Sequence, residues 1–376
     1  MHSFRFELIH TSKKSRARVG RIYTPHGIID TPNFVAVGTN GTVKALDNSL
    51  LQEIGLQLMF CNTYHLLLQP GTKVVKNAGG LHQFIQRKLP IITDSGGFQV
   101  FSLAYGSVAD ELKSRGTKKA GGSVLKITEE GVLFRSYRDG SKVLLTPESS
   151  IQAQKDLGAD IIIPFDELPP YHIDAPSLKS SLERTHRWEK RSLEEHLKNA
   201  QGQAMYAVIH GGIDPELRKE SCEFLTALPF DGFAIGGSIG KTKQEMHTLL
   251  SHTMPRLPTD KPNHLLGIGD LSSIANSIPL GIDTFDSSYP TRAARHGVLF
   301  TEHGNLNITK AENAQKFAPI ENECPCPTCK QFSIAYLHHL FKAKELTAMS
   351  LASAHNLTFM IRHMEKTREM ILNDQI

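Results

Sequence analysis

The sequence lacks the features that mark membrane and secreted proteins. It contains no run of about 18 apolar residues, the length that a membrane-spanning helix needs. Residues 1–21 are polar and basic without an apolar segment, so no secretory signal is predicted. Only five cysteines occur in the chain, and outside one cluster they form no plausible pairing pattern, which is typical of a reducing compartment. We therefore expect a cytoplasmic protein without membrane contact.

Other absences narrow the function. Aromatic residues make up only 7% of the chain and there is one tryptophan, so no stacking platform for single-stranded nucleic acid is predicted. No Gly-x-Gly-x-x-Gly motif opens a helix after the first strand, which argues against a dinucleotide-binding sheet. The net charge of +4 is a weak indication of an acidic or polyanionic partner. With 376 residues, the chain can bury one barrel-sized core and an appendage.

The cysteine cluster predicts a metal site. Cys324, Cys326 and Cys329 lie within six residues, and His355 follows 26 positions after Cys329 (355 − 329). Three thiolates and one imidazole are the ligands of a closed tetrahedral zinc site. Free thiols on a proline-rich loop are a poorer interpretation, because exposed clustered cysteines oxidise. A site with four protein ligands has no open position for substrate, so we expect one structural zinc and a reaction elsewhere.

Short apolar runs alternate with helical segments along most of the chain. The runs are residues 34–37, 56–61, 90–93, 161–165, 205–209, 232–235, 264–268 and 282–285. Thr146 and Asp214 each stand before a proline and a glutamate, the pattern of a helix start. Eight strands alternating with helices predict an α/β fold, an irregular (β/α)8 TIM-type barrel. We assign residues 1–315 to this catalytic barrel and residues 316–376 to a zinc-binding subdomain whose closing helices pack on it.

The segments that follow the predicted strands share polar and glycine residues. They are residues 62–64, 94–97, 166–167, 210–212, 236–238, 267–269 and 286–288. In a (β/α)8 barrel this edge carries the active site, so we expect these residues to converge on one bowl. Asp94, Asp166 and Asp286 supply what glycosyl transfer requires, namely a nucleophile, a proton carrier and a group that reads a base. Carboxylates alone also fit a hydrolase or a magnesium site.

Several motifs together resemble one family. They are Asp94-Ser-Gly-Gly-Phe-Gln99, Phe165-Asp-Glu167, Ala234-Ile-Gly-Gly237, Gly281-Ile-Asp-Thr-Phe-Asp286 with Pro290-Thr-Arg292, and the cysteine-histidine cluster. In this order they resemble the tRNA-guanine transglycosylases, over nearly the whole chain. Members of that family are zinc-bearing irregular (β/α)8 barrels that exchange the wobble guanine of tRNAs with a G-U-N anticodon for a 7-deazaguanine. The resemblance implies a pentosyltransferase of queuosine modification that acts on the tRNA anticodon loop, and a homodimer.

The resemblance also implies roles for individual residues. Asp286 would attack the ribose anomeric carbon and expel guanine, which gives a covalent RNA–enzyme intermediate, and Asp94 would be the general acid and base. Arg292 would bind an RNA phosphate. Asp283 is interpreted as structural. The implied base pocket consists of Asp166, Gln99, His210, Gly237, Phe98, Leu266 and Gly240, with Phe98 and Leu266 on the two faces of the ring.

Three of the departures from the family pattern bear on the base pocket. His210 stands where glutamine is usual, which changes the donor type of one base contact. Leu168 stands where enzymes that use prequeuine commonly have cysteine, and its bulk argues for a smaller base. Gly240 stands where valine is usual and would open space beside the side chain of the base. We hypothesise from Gly240 that queuine is accepted at least as well as prequeuine.

Two other classes remain open as alternatives. A non-catalytic tRNA- or base-binding subunit would lack the catalytic aspartates, whereas Asp94 and Asp286 are both present. A nucleoside hydrolase of barrel fold would need no zinc subdomain and would release guanine without an acceptor base. The glycine- and lysine-rich stretch of residues 107–123 is interpreted either as a loop that gates the ligand or as an ordinary surface loop.

Overall fold

A closed barrel of eight parallel strands forms the centre of the protein, whose computed structural model describes residues 4–105 and 124–376. The barrel strands, in chain order, are β4 (Asn33–Val37), β5 (Met59–Cys61), β6 (Ile91–Thr93), β10 (Ile161–Ile162), β11 (Ala204–Ile209), β12 (Gly232–Ile235), β13 (Asn263–Leu265) and β14 (Thr284–Ser287). Neighbours in the chain pair in space, and β14 closes the ring on β4. Each strand overlaps one of the eight apolar runs, so the predicted (β/α)8 barrel is confirmed.

Helices surround this barrel and connect its strands. They are α1 (Asn48–Glu53), α2 (Thr63–Leu68), α3 (Thr72–Asn77), α4 (Leu81–Phe84), α5 (Gly97–Tyr105), α6 (Pro147–Leu157), α7 (Ala175–Leu197), α8 (Pro215–Thr226), α9 (Lys243–Thr253), α10 (Leu271–Ser277) and α11 (Tyr289–Arg295). Both predicted helix starts are confirmed. Thr146 accepts from Ser149 N–H in a capping box, and Asp214 accepts from Glu216 and Leu217 N–H.

An antiparallel sheet closes the amino-terminal end of the barrel. Its strands are β1 (Arg5–Thr11), β2 (Arg18–Thr24) and β3 (Gly27–Thr31). Ile22 and Ile29 of this sheet pack with side chains from the barrel interior. The buried guanidinium of Arg18 donates to both carboxylate oxygens of Asp283, at 2.9 and 2.6 Å. This pair joins the sheet to the barrel and gives Asp283 the structural role that we expected.

Two further sheets are separate from the barrel strands. Strands β7 (Val124–Ile127), β8 (Val132–Arg135) and β9 (Lys142–Leu145) form an antiparallel sheet between α5 and α6. Strands β15 (Val298–Thr301) and β16 (Gly304–Asn307) form a hairpin after α11. The first insertion makes the barrel irregular, as predicted. The loop expected at residues 107–123 lies outside the described residues.

The carboxyl-terminal part of the chain is helical. It contains α12 (Pro327–Gln331), α13 (Ile334–Ala343) and the 27-residue α14 (Leu346–Leu372). Helix α14 packs on α11, on β15 and on strands β2 and β4, so it contacts the barrel along much of its length. The division at residues 315 and 316 stays a prediction. Among the described residues, no helix combines the length and the apolar character that a membrane crossing requires.

Candidate active site and metal centre

The three candidate aspartates lie at the carboxyl end of the barrel. Asp94 follows β6, Asp166 follows β10, and Asp286 is the third residue of β14. All the barrel strands are parallel, so these positions meet at one edge and form the predicted bowl. Asp94 and Asp286 are 8% and 7% exposed, which places both carboxylates below the surface while leaving them reachable.

Asp94 is a buried carboxylate surrounded by donors. Asn62 Nδ2 and Gln99 Nε2 donate to its Oδ2 at 2.7 and 2.8 Å, and the backbone N–H of Thr63 donates to its Oδ1 at 2.7 Å. Burial nevertheless raises the pKa of Asp94 from 3.8 to about 6, with a further increase from the charge of Asp166. The donors act in the opposite direction, because they stabilise the anion. A carboxyl group with this pKa can both give and take a proton near neutral pH.

Asp166 is positioned by two side chains. Ser95 Oγ donates to Asp166 Oδ1 at 3.0 Å, and His210 Nε2 lies 2.8 Å from Asp166 Oδ2. A Cβ on Gly237 would lie only 2.8 Å from His210 Nδ1, so the glycine lets the backbone approach the imidazole. A Cβ on Gly97 would lie 2.7 Å from the carbonyl oxygen of Asp166. The structure thus brings three predicted pocket positions together, namely Asp166, His210 and Gly237, and adds Ser95.

Asp286 is held through one oxygen. His264 Nε2 lies 3.0 Å from Asp286 Oδ1, and the backbone N–H of Gly267 donates to the same oxygen at 2.9 Å. His264 is fully buried at the start of the predicted strand run 264–268. Sequence reasoning did not identify it as functional, although it lies two residues before Leu266 and therefore on the same face of the strand.

The predicted ring-stacking residues differ in exposure. Phe98, in the first turn of α5, is 48% exposed. Leu266 is partly buried and packs against the barrel interior, and a Cβ on Gly236 would lie 3.1 Å from its Cδ1. Arg292 is exposed in α11, the helix that follows the strand of Asp286. Their predicted roles remain proposals.

The structure changes the interpretation of two positions, Gly240 and Leu168, that were expected to set the size of the base. Gly240 has φ +104°, and a Cβ there would lie 2.7 Å from the Cβ of Glu245, so the glycine permits close approach of Glu245 and leaves no open space on that side. Glu245 Oε2 accepts from the backbone N–H of Lys241 at 2.6 Å. Leu168 packs with the buried aromatic cluster of Phe134, Phe165 and Trp188, so its bulk is accommodated there.

The predicted metal ligands form one buried group. His355 Nδ1 lies 3.7 Å from Cys324 Sγ, 3.7 Å from Cys326 Sγ and 3.3 Å from Cys329 Sγ. A tetrahedral zinc with bonds of about 2.3 Å to sulfur and about 2.0 Å to nitrogen separates these ligand types by roughly 3.5 Å. His355 Nε2 donates to Phe300 O at 2.8 Å, which leaves Nδ1 for a metal. The group can therefore bind a metal ion.

A second histidine-rich group lies at the opposite end of the barrel. Asp160 Oδ1 is 2.8 Å from His26 Nδ1, and its Oδ2 is 3.2 Å from His82 Nε2. The two imidazole rings are stacked, with centroids 3.5 Å apart and planes 11° from parallel. A metal ion binds in the plane of each imidazole and cannot lie in two nearly parallel planes at this separation. We therefore interpret the group as a link between the β2–β3 hairpin and the barrel.

Comparisons with known proteins agree with this geometry. The family model described as queuine tRNA-ribosyltransferase matches residues 12–376. A queuine tRNA-ribosyltransferase of Protochlamydia amoebophila is 79% identical over 376 residues, which is all of this chain and 97% of that protein. Proteins of the same name from Chlamydia abortus and Chlamydia trachomatis serovar D are 57% and 55% identical, each over the full length of both chains.

Proposed function

This chain belongs to the queuine tRNA-ribosyltransferase family and is a tRNA-guanine transglycosylase, and on that premise we propose that Asp286 is its nucleophile and Asp94 its general acid and base. The observation that carries the assignment is the contrast between the two carboxylates. Asp94 has a pKa raised to about 6 and donors on both oxygens. The two donors to Asp286 converge on one oxygen, which leaves its other oxygen for attack.

The proposed reaction is a double displacement. An Asp286 oxygen bonds to C1′ of the wobble ribose while the bond from C1′ to guanine breaks, and the electron pair leaves with guanine, which takes a proton from Asp94. The incoming base then gives a proton to Asp94 and attacks C1′, and the bond to Asp286 breaks. Two inversions at one carbon restore the original configuration.

We propose that the base lies between Phe98 and Leu266 and is read by Asp166. The carboxylate of Asp166, fixed by Ser95 and His210, accepts hydrogen bonds from the donor edge of a guanine-like ring. The other predicted contacts, Gln99, Gly237 and Gly240, line the same edge of the barrel. Arg292, exposed beside the bowl, would bind a phosphate of the anticodon loop of G-U-N tRNAs.

We propose that queuine is accepted at least as well as prequeuine. The packing of Leu168 in an aromatic cluster removes the objection that its bulk narrows the pocket. The space expected at Gly240 is taken by Glu245, so open space there does not support the use of queuine. The support at that position comes instead from two polar groups. Glu245 and Tyr171 place a carboxylate oxygen and a hydroxyl 3.5 Å apart beside the glycine, and these groups can bond to a polar substituent on the base.

We propose that the metal is zinc and that it is structural. Three thiolates and one imidazole are ligands that zinc prefers, and all four side chains are buried. A bound zinc would join α12 to α14, and no step of the exchange involves it. All five cysteines are free and buried, which is consistent with a cytoplasmic location.

We also propose that two copies associate through aromatic side chains of the carboxyl-terminal helices. The rings of Phe332 and Tyr336 stack with centroids 5.2 Å apart, and the centroids of Tyr336 and His339 are 6.5 Å apart. Phe317 and Leu346 in the same subdomain are 80% and 75% exposed. Large exposed apolar side chains on a soluble domain are typical of an interface.

The test of the proposed function is base exchange on unmodified tRNA with a G-U-N anticodon. Labelled guanine, prequeuine and queuine are offered separately to the wild type and to Asp286→Asn, which keeps the shape of the side chain. We expect incorporation by the wild type, none by the variant, and queuine used at least as fast as prequeuine. Exchange that persists in Asp286→Asn would refute the nucleophile, and exchange of prequeuine alone would refute the acceptor assignment.

A further inference from the structure

We propose that His264 is a positioning residue that holds Oδ1 of Asp286, so that Oδ2 is the atom that attacks the ribose. The inference rests on the proposed nucleophilic role of Asp286. It adds a residue to the reaction and assigns the reacting oxygen. No motif identified in the sequence contains His264.

The position of His264 follows from strand register. In the barrel, His264 of β13 pairs with Thr284 of β14, and Asp286 lies two residues beyond Thr284. Side chains two residues apart on a strand share a face, so Thr284 and Asp286 both face His264. The imidazole lies between them, with Nδ1 2.8 Å from Thr284 Oγ1 and Nε2 3.0 Å from Asp286 Oδ1. The three side chains form one hydrogen-bonded row that ends at the nucleophile.

The proton on Nε2 follows from the acceptors around it. A carboxylate oxygen can only accept, so the imidazole must donate from Nε2 to Asp286 Oδ1. Thr284 Oγ1 also lies 3.2 Å from the carbonyl oxygen of Asn263, to which it can donate. If Thr284 donates to Nδ1, His264 is neutral; if it donates to Asn263, Nδ1 donates to Thr284 and His264 is charged. Nε2 carries a proton in both arrangements.

Two donors on one oxygen fix the carboxylate. Gly267 N–H and His264 Nε2–H both point to Oδ1, at 2.9 and 3.0 Å. Among residues 4–105 and 124–376, no hydrogen-bond donor reaches Oδ2. Oδ2 therefore keeps its lone pairs for the bond to C1′, and rotation of the carboxylate would break both contacts. In the adduct Oδ1 is the ester carbonyl oxygen, and it regains negative charge when the incoming base breaks the bond from Oδ2 to C1′.

The burial of His264 strengthens its hydrogen bond to Asp286. The side chain is fully buried, and a polar group removed from water destabilises the fold unless its hydrogen bonds are made. Both ring nitrogens have partners in the row from Thr284 to Asp286. A hydrogen bond to a charged group in such surroundings is stronger than one at the surface. The hydrogen bond between His264 and Asp286 thus fixes the orientation of both side chains.

The test compares variants of His264 and Thr284 in base exchange. His264→Phe keeps the ring and removes both hydrogen bonds, His264→Gln keeps a donor near the position of Nε2, and Thr284→Val removes the contact to Nδ1. His196→Phe is the matched control, since His196 is also buried but lies near the end of α7. Asp286→Asn is measured in parallel, and thermal unfolding shows that each variant is folded.

We expect His264→Phe to lower kcat by about ten- to a hundredfold while KM for tRNA and for the base stay within about twofold. His264→Gln should recover part of this loss, and Thr284→Val should lower kcat in the wild type but not in His264→Phe. A purely structural role would lower thermal stability without this split between kcat and KM. If His264→Phe does not fold, the changes in kcat and KM of His264→Gln and Thr284→Val test the proposal instead.

The attacking oxygen is tested separately by the structure of the adduct trapped without an acceptor base. We expect C1′ to be bonded to Oδ2 while Oδ1 keeps its contacts with His264 and Gly267. A bond through Oδ1, or a kcat of His264→Phe equal to that of His196→Phe while Asp286→Asn is inactive, would overturn this inference alone. Exchange that persists in Asp286→Asn would instead overturn the proposed function on which it rests.

Discussion

At the scale of single residues, two carboxylates of the active site differ in their surroundings. Asp94 receives three donors and is buried, and this burial raises its pKa to about 6. Asp286 is bonded through Oδ1 to an imidazole and a backbone N–H at the mouth of the barrel. The first arrangement suits proton transfer near neutral pH, and the second suits a nucleophile that must keep one oxygen available.

The raised pKa of Asp94 predicts opposite pH dependences for the two half-reactions. Below about pH 6 the group is protonated and can give its proton to departing guanine, whereas above that value it can accept one from the incoming base. Formation of the adduct without acceptor base should therefore slow by about tenfold per pH unit above this pKa. Discharge of the adduct by added base should slow as the pH falls below it.

These rates can be measured by quenching single turnovers and separating the covalent RNA adduct on denaturing gels. Asp94→Asn keeps the size of the side chain and serves as the control, and it should slow both half-reactions and remove both pH dependences. A change of both wild-type rates in the same direction with pH would contradict the dual role of Asp94.

The residues that sequence reasoning identified are those with local signatures. Cys324, Cys326 and Cys329 are recognisable by spacing, and Asp94 and Asp286 stand where apolar runs end. His264 and Glu245 were missed because their roles depend on which strand or loop lies beside them. His264 could have been suspected, since a histidine two positions before Leu266 faces the same side of a strand as a predicted pocket residue.

At the scale of elements, the β2–β3 hairpin is held to the barrel by the group His26, His82 and Asp160. Asp160 also accepts from the backbone N–H of Ile91 at 2.9 Å, at the start of β6. The hydrogen bond that His26 donates to Asp160 raises the pKa of His26, and the pKa of Asp160 lies below its usual value because His26 and His82 stabilise the anion against its burial. The contact therefore depends on the charge of both partners.

This group predicts a window of pH in which the hairpin is most stable. Asp160 has a lowered pKa, so its contribution is present above about pH 4 and is lost as the pH falls through the folded value. His26 has a raised pKa, so its contribution is complete below about pH 6.5 and is lost as the pH rises through the folded value. The stabilisation should be greatest between these limits.

Asp160→Asn should lower the free energy of unfolding by roughly 1 kcal/mol within this window, a small effect because the His26 side chain is 40% exposed. Urea unfolding from pH 3 to 9 measures this difference. The free energy of unfolding of the variant should also depend less on pH than that of the wild type. Asp139→Asn, which changes an exposed carboxylate outside the group, is the control. An equal loss at pH 5 and pH 9 would contradict the charge-dependent contact.

The metal group predicts that removal of one thiol separates α12 from α14. Cys326→Ser should bind no metal and should lose several kcal/mol of stability in the carboxyl-terminal helices, because binding energy at such sites is folding energy. Cys222→Ser changes a buried cysteine outside the group and should keep its metal. Elemental analysis and thermal unfolding provide the measurements. A folded wild type without any bound metal would refute the proposed zinc.

Element bounds were less predictable than element order. The apolar run 161–165 was expected to be one strand, but β10 ends at Ile162. The side-chain amide of Gln154 accepts from Ile163 N–H at 3.0 Å and donates to Ile163 O at 2.7 Å, so a helix side chain replaces the next step of strand pairing. This replacement of strand hydrogen bonds by a side chain depends on how α6 packs against the barrel, and no local sequence pattern reveals that packing. The β7–β9 sheet was missed as well, because its short strands alternate with charged residues.

At the scale of the whole molecule, the carboxyl-terminal helices present an aromatic surface that the rest of the described chain does not cover. Tyr336 is 42% exposed between Phe332 and His339, on the outer side of α13. The opposite face of α13 packs through Leu337 beside the metal group. A metal that fixes α12 and α14 therefore also fixes the geometry of this surface, so the predictions on metal binding and on assembly are linked.

The proposed homodimer predicts that Tyr336→Ala weakens association by tenfold or more, since aromatic side chains near the centre of an interface commonly contribute about 2 kcal/mol or more. Leu197→Ala is the matched control, because Leu197 is 55% exposed at the end of α7, away from the aromatic surface. Analytical ultracentrifugation across a concentration series gives the dissociation constants, and base exchange at each concentration shows whether the dimer is the active form. We expect Tyr336→Ala to be folded, to bind metal and to lose exchange activity on dilution earlier than the wild type does. A wild type that stays monomeric at micromolar concentration, or equal dissociation constants for the two variants, would refute association through this surface.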